Sequence, residues 1–286
     1  MPNSPNSEPA ARSSHWPEYF IEAGLLAAFM VSALLVTAVF EHPGSWVSGW
    51  ITPPVLRRAC IGLAMGLTAI ALIYSPWGQR SGAHLNPATT LTFWYLGKIR
   101  GGDALGYIGA QFAGGLVGLL VVAGLMPAVA AHASVNYVVT VPGLAGPKIA
   151  FLAELIMAGV MMGTVMSLTN RPKLAPYTGV VAGSLVFLFI TVWAPLSGMS
   201  INPARTFASA VPSGVWTSLW IYFVAPSLGM LLATQVYRLG TGSYGRSCPK
   251  LHHGSKARCI FCGHPGETWT LPVEPCSKGI HLTSTH

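Results

Sequence analysis

The sequence predicts an all-α membrane protein in which six transmembrane helices and two short re-entrant half-helices form an inverted repeat. Three observations carry this prediction: the composition, the spacing of the apolar segments and an internal duplication. Of the 286 residues, 52% are hydrophobic and only 8% are charged, whereas about 25% of the residues of a soluble globular protein are charged. Most of the molecular surface is therefore predicted to face lipid.

Six apolar segments each provide about the twenty residues that a helix needs to cross the hydrocarbon core of a bilayer. These segments lack the alternating pattern of barrel strands, and in lipid a helix satisfies its own backbone hydrogen bonds. We therefore predict six spanning helices, over residues 19–40, 55–77, 104–126, 149–168, 177–196 and 215–237.

An internal duplication divides the chain into two halves. The segment SGAHLNPATT at residues 81–90 recurs as SGMSINPART at residues 197–206. Each copy follows two predicted spanning helices and precedes a third, and each half carries one carboxylate within its first helix, Glu22 or Glu154. Because three spans are an odd number, the second half enters the membrane from the opposite side. The predicted membrane domain covers residues 18–239, with repeats at about 18–126 and 147–239.

Each copy contains an Asn-Pro-Ala motif, which is typical of a helix start because Asn is a favoured N-cap and Pro is favoured at the first helical position. The two helices are expected over residues 87–96, ending at Gly97, and over residues 203–211, ending before Pro212. About ten residues span roughly 15 Å, half of the hydrocarbon core. We predict that these half-helices enter from opposite faces and that their N-termini meet near the midplane. The motifs comprise Asn86, Pro87 and Ala88, and Asn202, Pro203 and Ala204.

This arrangement predicts a passive pore for water or other small neutral solutes. The positive ends of two helix dipoles would converge on one point and repel cations, including hydronium. The amides of Asn86 and Asn202 could donate hydrogen bonds to a passing oxygen and interrupt proton relay. The irregular segments before each Asn would supply backbone carbonyls, which are tolerated at membrane depth where they line a cavity.

Arg205, Glu22 and Glu154 are charged residues expected deep in the membrane, where such residues are functional by default. Arg205 is expected to reach the lumen, reject cations and bind the oxygens of neutral solutes. The alternative is a structural Arg paired with a buried Glu. Glu22 and Glu154 are expected to accept hydrogen bonds from the amides of the re-entrant loops. The alternative for the two carboxylates is a proton relay, which would make the protein a transporter.

The basic residues favour a topology with both termini in the cytoplasm, and the plasma (inner) membrane is the expected location. The formal net charge is +8, and most Lys and Arg residues lie in the predicted cytoplasmic loops and the C-terminal tail. Arg57 and Arg58, on the predicted outer side, oppose this assignment. No basic amphipathic stretch with interleaved aromatics occurs, so no nucleic-acid partner is expected. Residues 1–17 are polar and predict a disordered cytoplasmic N-terminus.

The double Asn-Pro-Ala motif, the Arg after the second copy and the Glu in the first helix of each half resemble the aquaporin (major intrinsic protein) family. The resemblance covers about residues 18–238 and implies a homotetramer in the lipid bilayer, with one pore per subunit and no cofactor. It also implies a second constriction formed by four residues. Arg205 matches the Arg of that selectivity filter, and alignment of the motifs assigns the other three positions to Met65, Ile190 and Met199.

This filter departs from the family's usual pattern. Water-selective members have an aromatic residue and a His there, and glycerol facilitators have two aromatics and a Gly, whereas three positions here are apolar. Thr206 stands where glycerol facilitators place an Asp, which favours the water branch. We expect a water-conducting pore that also admits other small neutral solutes. The alternative is a broader channel for glycerol, urea, ammonia or metalloid acid with a hydrophobic filter.

The tail at residues 240–286 is polar and contains Cys248, His252, Cys259 and Cys262, spaced C-x3-H-x6-C-x2-C. This set of ligand types could hold a tetrahedral zinc ion. A disordered cytoplasmic tail with unpaired thiols explains the same residues, and both interpretations remain open.

An enzymatic alternative finds little support in the sequence. Gly198-Met199-Ser200 resembles the Gly-x-Ser of rhomboid intramembrane proteases, which also have six helices. Those enzymes need a His on a later helix to activate the Ser, and the next His here is His252 in the tail. The second Asn-Pro-Ala motif also stays unexplained, so no enzyme is expected.

Overall fold

The computed structural model of the chain describes residues 15–242, 245, 248–251 and 258–263. Two single-turn 3₁₀ helices, Asn136–Val138 and Ala175–Tyr177, lie in loops. The α-helices of these described residues are α1 Trp16–Glu41, α2 Trp46–Trp50, α3 Pro54–Tyr74, α4 Pro76–Ser81, α5 Pro87–Tyr95, α6 Gly101–Leu125, α7 Pro127–Ala131, α8 Gly146–Thr169, α9 Thr178–Ser197, α10 Pro203–Ser213 and α11 Leu219–Thr241.

Six of these helices, α1, α3, α6, α8, α9 and α11, are long and apolar enough to cross a membrane. The six predicted spans are thereby confirmed, although their boundaries differ from the prediction by one to four residues. The second span ends at Tyr74 rather than at residue 77, because Ser75 caps a separate helix, α4, by accepting a hydrogen bond from the Gly78 amide at 3.0 Å. The last span begins at Leu219 rather than at residue 215.

The two predicted half-helices are α5, with nine residues, and α10, with eleven. The first ends at Tyr95, one residue earlier than predicted. The prediction that the second stops before Pro212 was wrong, because α10 continues through that proline to Ser213. A proline in the last turn forfeits only one helical hydrogen bond, and the turn is closed by the Ser213 hydroxyl, which donates to the Ser209 carbonyl at 2.8 Å. The helix ends where Gly214 adopts φ +68°.

The bundle repeats its own packing pattern. Helix α1 packs on α6 in the first half as α8 packs on α11 in the second, and α3 packs on α9 across the two halves. The α3–α9 contact is tight: a Cβ on Gly66 would lie 2.5 Å from the Gly183 carbonyl oxygen, and a Cβ on Gly183 would lie 2.5 Å from the Gly66 oxygen. Only residues without a side chain permit this approach, which is how helices associate in lipid.

Candidate functional site

The site is built at the N-termini of the two half-helices. The Asn86 side-chain oxygen accepts a hydrogen bond from the Ala88 amide at 2.9 Å and caps α5. The Asn202 side-chain oxygen accepts from the Ala204 amide at 3.1 Å and from the Arg205 amide at 3.2 Å and caps α10. Each Asn therefore uses its acceptor on its own helix and keeps its NH2 group free for other partners.

The NH2 groups join the two half-helices at their tips. Asn86 Nδ2 donates to the Ile201 carbonyl oxygen at 2.7 Å, and Asn202 Nδ2 donates to the Leu85 carbonyl oxygen at 2.7 Å. Each amide thus bonds to the residue that precedes the opposite Asn. One N–H of each NH2 group is used in this way, and both Asn side chains line a central cavity.

Glu22 holds the loop that leads to the first half-helix. Its side chain is fully buried, and one oxygen accepts from the Ser81 hydroxyl at 2.7 Å and the His84 amide at 3.1 Å. The other oxygen accepts from the Leu85 amide at 2.8 Å and from Gln111 Nε2 at 2.9 Å. A buried carboxylate with four donors is well compensated, because hydrogen bonds to charged groups are the strong ones.

Glu154 holds the second loop in the same way. One oxygen accepts from the Ser197 hydroxyl at 2.7 Å and the Ser200 amide at 2.9 Å, and the other accepts from the Ile201 amide at 2.5 Å. Within the described part of the chain, Arg205 forms no ion pair with either carboxylate. The oxygens of Glu22 and Glu154 are instead engaged with the loops.

Two tyrosines complete this scheme, and the sequence analysis assigned a loop-supporting role to neither. The Tyr107 hydroxyl on α6 donates to the Ser81 carbonyl at 2.7 Å, and the Tyr222 hydroxyl on α11 donates to the Ser197 carbonyl at 2.6 Å. Both rings are fully buried. Each Tyr lies on the third spanning helix of its half, so comparing the two halves beyond the Asn-Pro-Ala segments could have found the pair.

The loops before each Asn have an unusual backbone. Ala83 and Leu85 have φ of 54° and 53°, and Met199 and Ile201 have φ of 49° and 47°. Residues with side chains rarely adopt this left-handed region, and the bonds to the two carboxylates hold it in place. Among the described residues, no donor reaches the carbonyl oxygens of Ala83, His84, Met199 and Ser200, and these four residues line the cavity.

The cavity has a volume of about 370 Å³ and runs along one face of α3 from Arg58 to Ile73. At 1.5 Å per residue, these fifteen steps correspond to roughly 22 Å, most of the thickness of a hydrocarbon core. The cavity therefore extends along α3 for most of the length of that helix, and Asn86 and Asn202 lie on the cavity wall.

All four predicted filter residues line this cavity, although they come from four different segments. Met65 lies on α3, Ile190 on α9, Met199 in the loop before α10, and Arg205 on α10. The Arg205 Nη1 atom is buried and has no hydrogen-bond partner in the described structure. Nη1 itself is closed to a water-sized solute, but Arg205 as a residue is only half-buried and lines the cavity, so other parts of its side chain are open to a solute.

The two ends of the cavity contain residues that the sequence analysis did not assign to it. Arg58, considered only as a topological charge, lies at one end, where its Nε donates to the Thr191 carbonyl at 3.5 Å. Leu251 of the C-terminal tail lies at the other end. The polar composition of the tail contained no signal that one of its residues packs against the membrane bundle.

The tail brings three of its four predicted ligands together. The sulfur atoms of Cys248, Cys259 and Cys262 all lie within 4.8 Å of one another, and the first two are 3.6 Å apart. Their shared hydrogen bond favours the thiolate form of one cysteine of the pair and so lowers the pKa of the Cys259 thiol. The fourth predicted ligand, His252, lies outside the described residues.

Ser200, the nucleophile of the protease alternative, has a structural environment. Its hydroxyl donates to the Asn202 carbonyl at 2.9 Å and lies 2.5 Å from the Thr206 hydroxyl. The part of the chain that the structure describes places no His beside it. Ser200 therefore supports the loop turn, and among the described residues no base of the kind a serine protease needs is hydrogen-bonded to it.

Comparison with known proteins shows where this architecture occurs. The family profile described as Major intrinsic protein matches residues 17–237. The chain is 35% identical over 180 residues to NIP4-1 of Arabidopsis thaliana, which carries an aquaporin name; the match covers 63% of this chain and 62% of that protein, less than two thirds of its length. It is 29% identical over 188 residues to Aquaporin Z of Photorhabdus laumondii, covering 63% of this chain and 81% of that protein.

A solved structure shares the fold. The aquaglyceroporin from Plasmodium falciparum superposes with a TM-score of 0.65 and 21% identity, over 78% of this chain and 96% of the other. The predicted inverted-repeat architecture is thereby confirmed. With residues 17–237 inside the family profile, this chain is an integral membrane protein that belongs to the major intrinsic protein family.

Proposed function

We propose that this chain is a passive transmembrane channel that conducts water and other small neutral solutes and excludes protons and ions. The observation that carries the proposal is the reciprocal pair of bonds between each Asn amide and the opposite loop. These bonds point the positive ends of two helix dipoles at one stretch of the cavity, which repels cations. A water molecule that accepts from both Asn86 and Asn202 cannot at the same point relay a proton.

Neutral solutes find both donors and acceptors along the path. The half-buried Arg205 side chain lines the cavity and supplies guanidinium donors, and the loop carbonyls before each Asn offer acceptors. The remaining wall is mostly aliphatic and so holds a solute weakly. Weak binding at several sites favours rapid passage, because a permeant that binds tightly leaves slowly.

The range of solutes depends on Met65, Ile190 and Met199. Methionine side chains are flexible and adapt to solutes of different shape, so we propose that the filter also admits glycerol, urea, ammonia or metalloid acid. An aromatic residue and a His would narrow the aperture and restore a polar wall. We therefore expect the double variant Met65→Phe with Ile190→His to lower glycerol and ammonia flux relative to water flux.

Stopped-flow light scattering on proteoliposomes tests the channel proposal and the filter assignment together. The purified full-length protein should raise osmotic water permeability well above that of protein-free liposomes without a proton leak. The control for the double variant is Leu67→Phe, which adds a ring to the same helix at a position 57% exposed on the outer face of the bundle. Water permeability no higher than that of protein-free liposomes would reject the proposed channel function. Solute selectivity unchanged by the double variant would reject the filter assignment.

We further propose that the channel domain at residues 18–239 assembles as a homotetramer in the plasma membrane with both termini in the cytoplasm. Exposed leucines and valines on the long helices support a lipid or subunit interface. Native mass spectrometry tests the tetramer, and protease accessibility of the tail in oriented vesicles tests the topology. A monomer would contradict the proposed tetramer. A tail that protease cleaves only from the extracellular face of the membrane would contradict the proposed topology.

The Cys cluster favours a zinc ion in the tail, although the channel itself requires no cofactor. We propose that Cys248, Cys259 and Cys262 are ligands and that His252 is the fourth, on the basis of its sequence spacing. Metal analysis of purified protein tests the site. One zinc per chain, reduced by Cys259→Ser, is expected.

A further inference from the structure

The C-terminal tail is docked onto the loop that carries the first Asn-Pro-Ala motif. The Leu251 amide donates to the Gly82 carbonyl oxygen at 3.3 Å. Lys250 is only 3% exposed, and its Nζ donates to the Gln79 carbonyl oxygen at 3.1 Å. The Phe261 ring stacks on the His84 ring, with centroids 6.2 Å apart and an angle of 6°. Two separate tail segments therefore contact the same loop.

Leu251 lies on the wall of the cavity, at the end opposite Arg58. Its side chain is 8% exposed and packs in the same apolar cluster as Ile73 and Ala83. At this end an aliphatic side chain narrows the path and offers water no hydrogen bond. Its own N–H donates to the Gly82 carbonyl oxygen, which anchors the residue to the loop at this end.

The Cys cluster connects the two docked segments. Cys248 precedes Leu251 by three residues, and Cys259 and Cys262 flank Phe261. The Cys259-x-x-Cys262 turn is closed by the Gly263 amide, which donates to the Cys259 carbonyl at 3.0 Å, with Gly263 at φ +72°. A bond between the cluster and one ion would therefore fix both segments against the loop at once.

The spacing of the sulfur atoms suits a tetrahedral metal site. Zinc–sulfur bonds of about 2.3 Å at tetrahedral angles place two sulfurs about 3.8 Å apart, and Cys248 Sγ lies 3.6 Å from Cys259 Sγ. Three thiolates and one Zn²⁺ have a net charge of about −1, and Lys250, a buried cation, lies two residues after Cys248 in the chain. The cluster is therefore near the metal-bound geometry while the tail is docked.

We propose that a thiophilic divalent cation bound by Cys248, Cys259 and Cys262 locks Leu251 into the end of the pore, so that metal occupancy closes the channel. This inference rests on the channel function proposed above. An ion that binds only the docked tail shifts the ratio of docked to undocked chains by 1 + [metal]/Kd, about 100-fold at 100 times Kd. The tail would then act as a plug whose population follows the metal concentration.

The test compares water permeability in buffered Zn²⁺ and in a zinc chelator, using full-length protein in proteoliposomes with each solution on both faces. We expect saturating Zn²⁺ to lower the permeability per wild-type channel by about tenfold or more. Cys259→Ser and Cys262→Ser should keep the high permeability in Zn²⁺. The matched control is Cys60→Ser, which removes the thiol on α3 outside the cluster and should retain the wild-type response.

Leu251→Ala separates metal binding from closure. This variant keeps the three thiols, so metal analysis should still find one Zn²⁺ per chain while water permeability falls less than about twofold. Wild-type protein that binds no Zn²⁺, or binds it with unchanged permeability, overturns the inference. Equal inhibition of Cys259→Ser also overturns it, because the ion then acts elsewhere. If Leu251→Ala conducts no water in the presence of the chelator, the proposed channel function is itself wrong. If the wild-type channel conducts water in chelator and its permeability does not change on adding Zn²⁺, only the proposed closure by the tail is wrong.

Discussion

Replacing Glu154 with Gln tests whether the buried carboxylate supports the second re-entrant loop. The side chain is fully buried and accepts three hydrogen bonds, from the Ser197 hydroxyl and from the amides of Ser200 and Ile201. Gln has nearly the same shape, but one of its two terminal atoms is an NH2 donor. Whichever way the amide turns, its NH2 group faces either the Ile201 N–H or the Ser200 N–H.

The magnitude follows from the donors left without acceptors. One backbone N–H and the new NH2 group would be buried and opposed, and each unsatisfied buried group costs about 1–3 kcal/mol, so the loss is about 2–6 kcal/mol. The Ser197 hydroxyl does not add to this loss, because a hydroxyl can turn and accept. The displaced loop also carries Met199 and Asn202, so water permeability should fall with stability.

The assay is reversible unfolding in mixed micelles, together with stopped-flow permeability of the same preparation. Glu41→Gln is the matched control, because that carboxylate is 24% exposed and pairs with the Arg57 Nε at 3.1 Å near one end of the bundle. A partly exposed pair contributes at most about 1 kcal/mol. If Glu154→Gln unfolds within 1 kcal/mol of Glu41→Gln and conducts like the wild type, the supporting role of the carboxylate is refuted.

Two further substitutions test the packing of the bundle and its second polar support. Gly66→Ala places a Cβ 2.5 Å from the Gly183 oxygen, so it should lower the free energy of unfolding in micelles by about 1–3 kcal/mol. The control is Gly24→Ala, whose added Cβ has nothing within 4 Å and should leave the stability unchanged. Equal stabilities of the two variants would contradict the close contact. Tyr222→Phe removes the 2.6 Å hydrogen bond to the Ser197 carbonyl and should lower the free energy of unfolding by about 1–3 kcal/mol in the same assay. An unchanged free energy of unfolding would contradict the supporting role of this hydroxyl.

The helical architecture and the half-helix starts could be predicted because their causes are local. An apolar run of twenty residues needs only its own composition to specify a spanning helix, and Asn202 caps the helix that directly follows it. The inverted arrangement needed one additional fact, the repetition of the motif. Pro212 was predicted to end α10, but the helix continues to Ser213. A proline in the last turn removes only one helical hydrogen bond, so its presence alone does not fix where the helix ends.

The polar contacts that complete the site could not be predicted in the same way. The Asn202–Leu85 bond joins residues 117 positions apart, and the Tyr107 hydroxyl meets a carbonyl 26 positions away. Such pairs depend on how helices rotate and approach, which a single sequence does not specify. The contact of Leu251 with the cavity is a further case, because polar tail segments resemble one another in composition whether or not they dock.

The reciprocal amide bonds at the centre of the bundle also bear on how the chain is made. During synthesis, the first half enters the membrane before residue 201 exists, so the Asn86 NH2 group and the Leu85 carbonyl wait there without their eventual partners. Either half alone holds one unpaired Asn NH2 donor and one unpaired loop carbonyl, and each donor bonds to the carbonyl of the other half when both are present. Insertion of the second half therefore supplies the hydrogen-bond partners that the first half lacks.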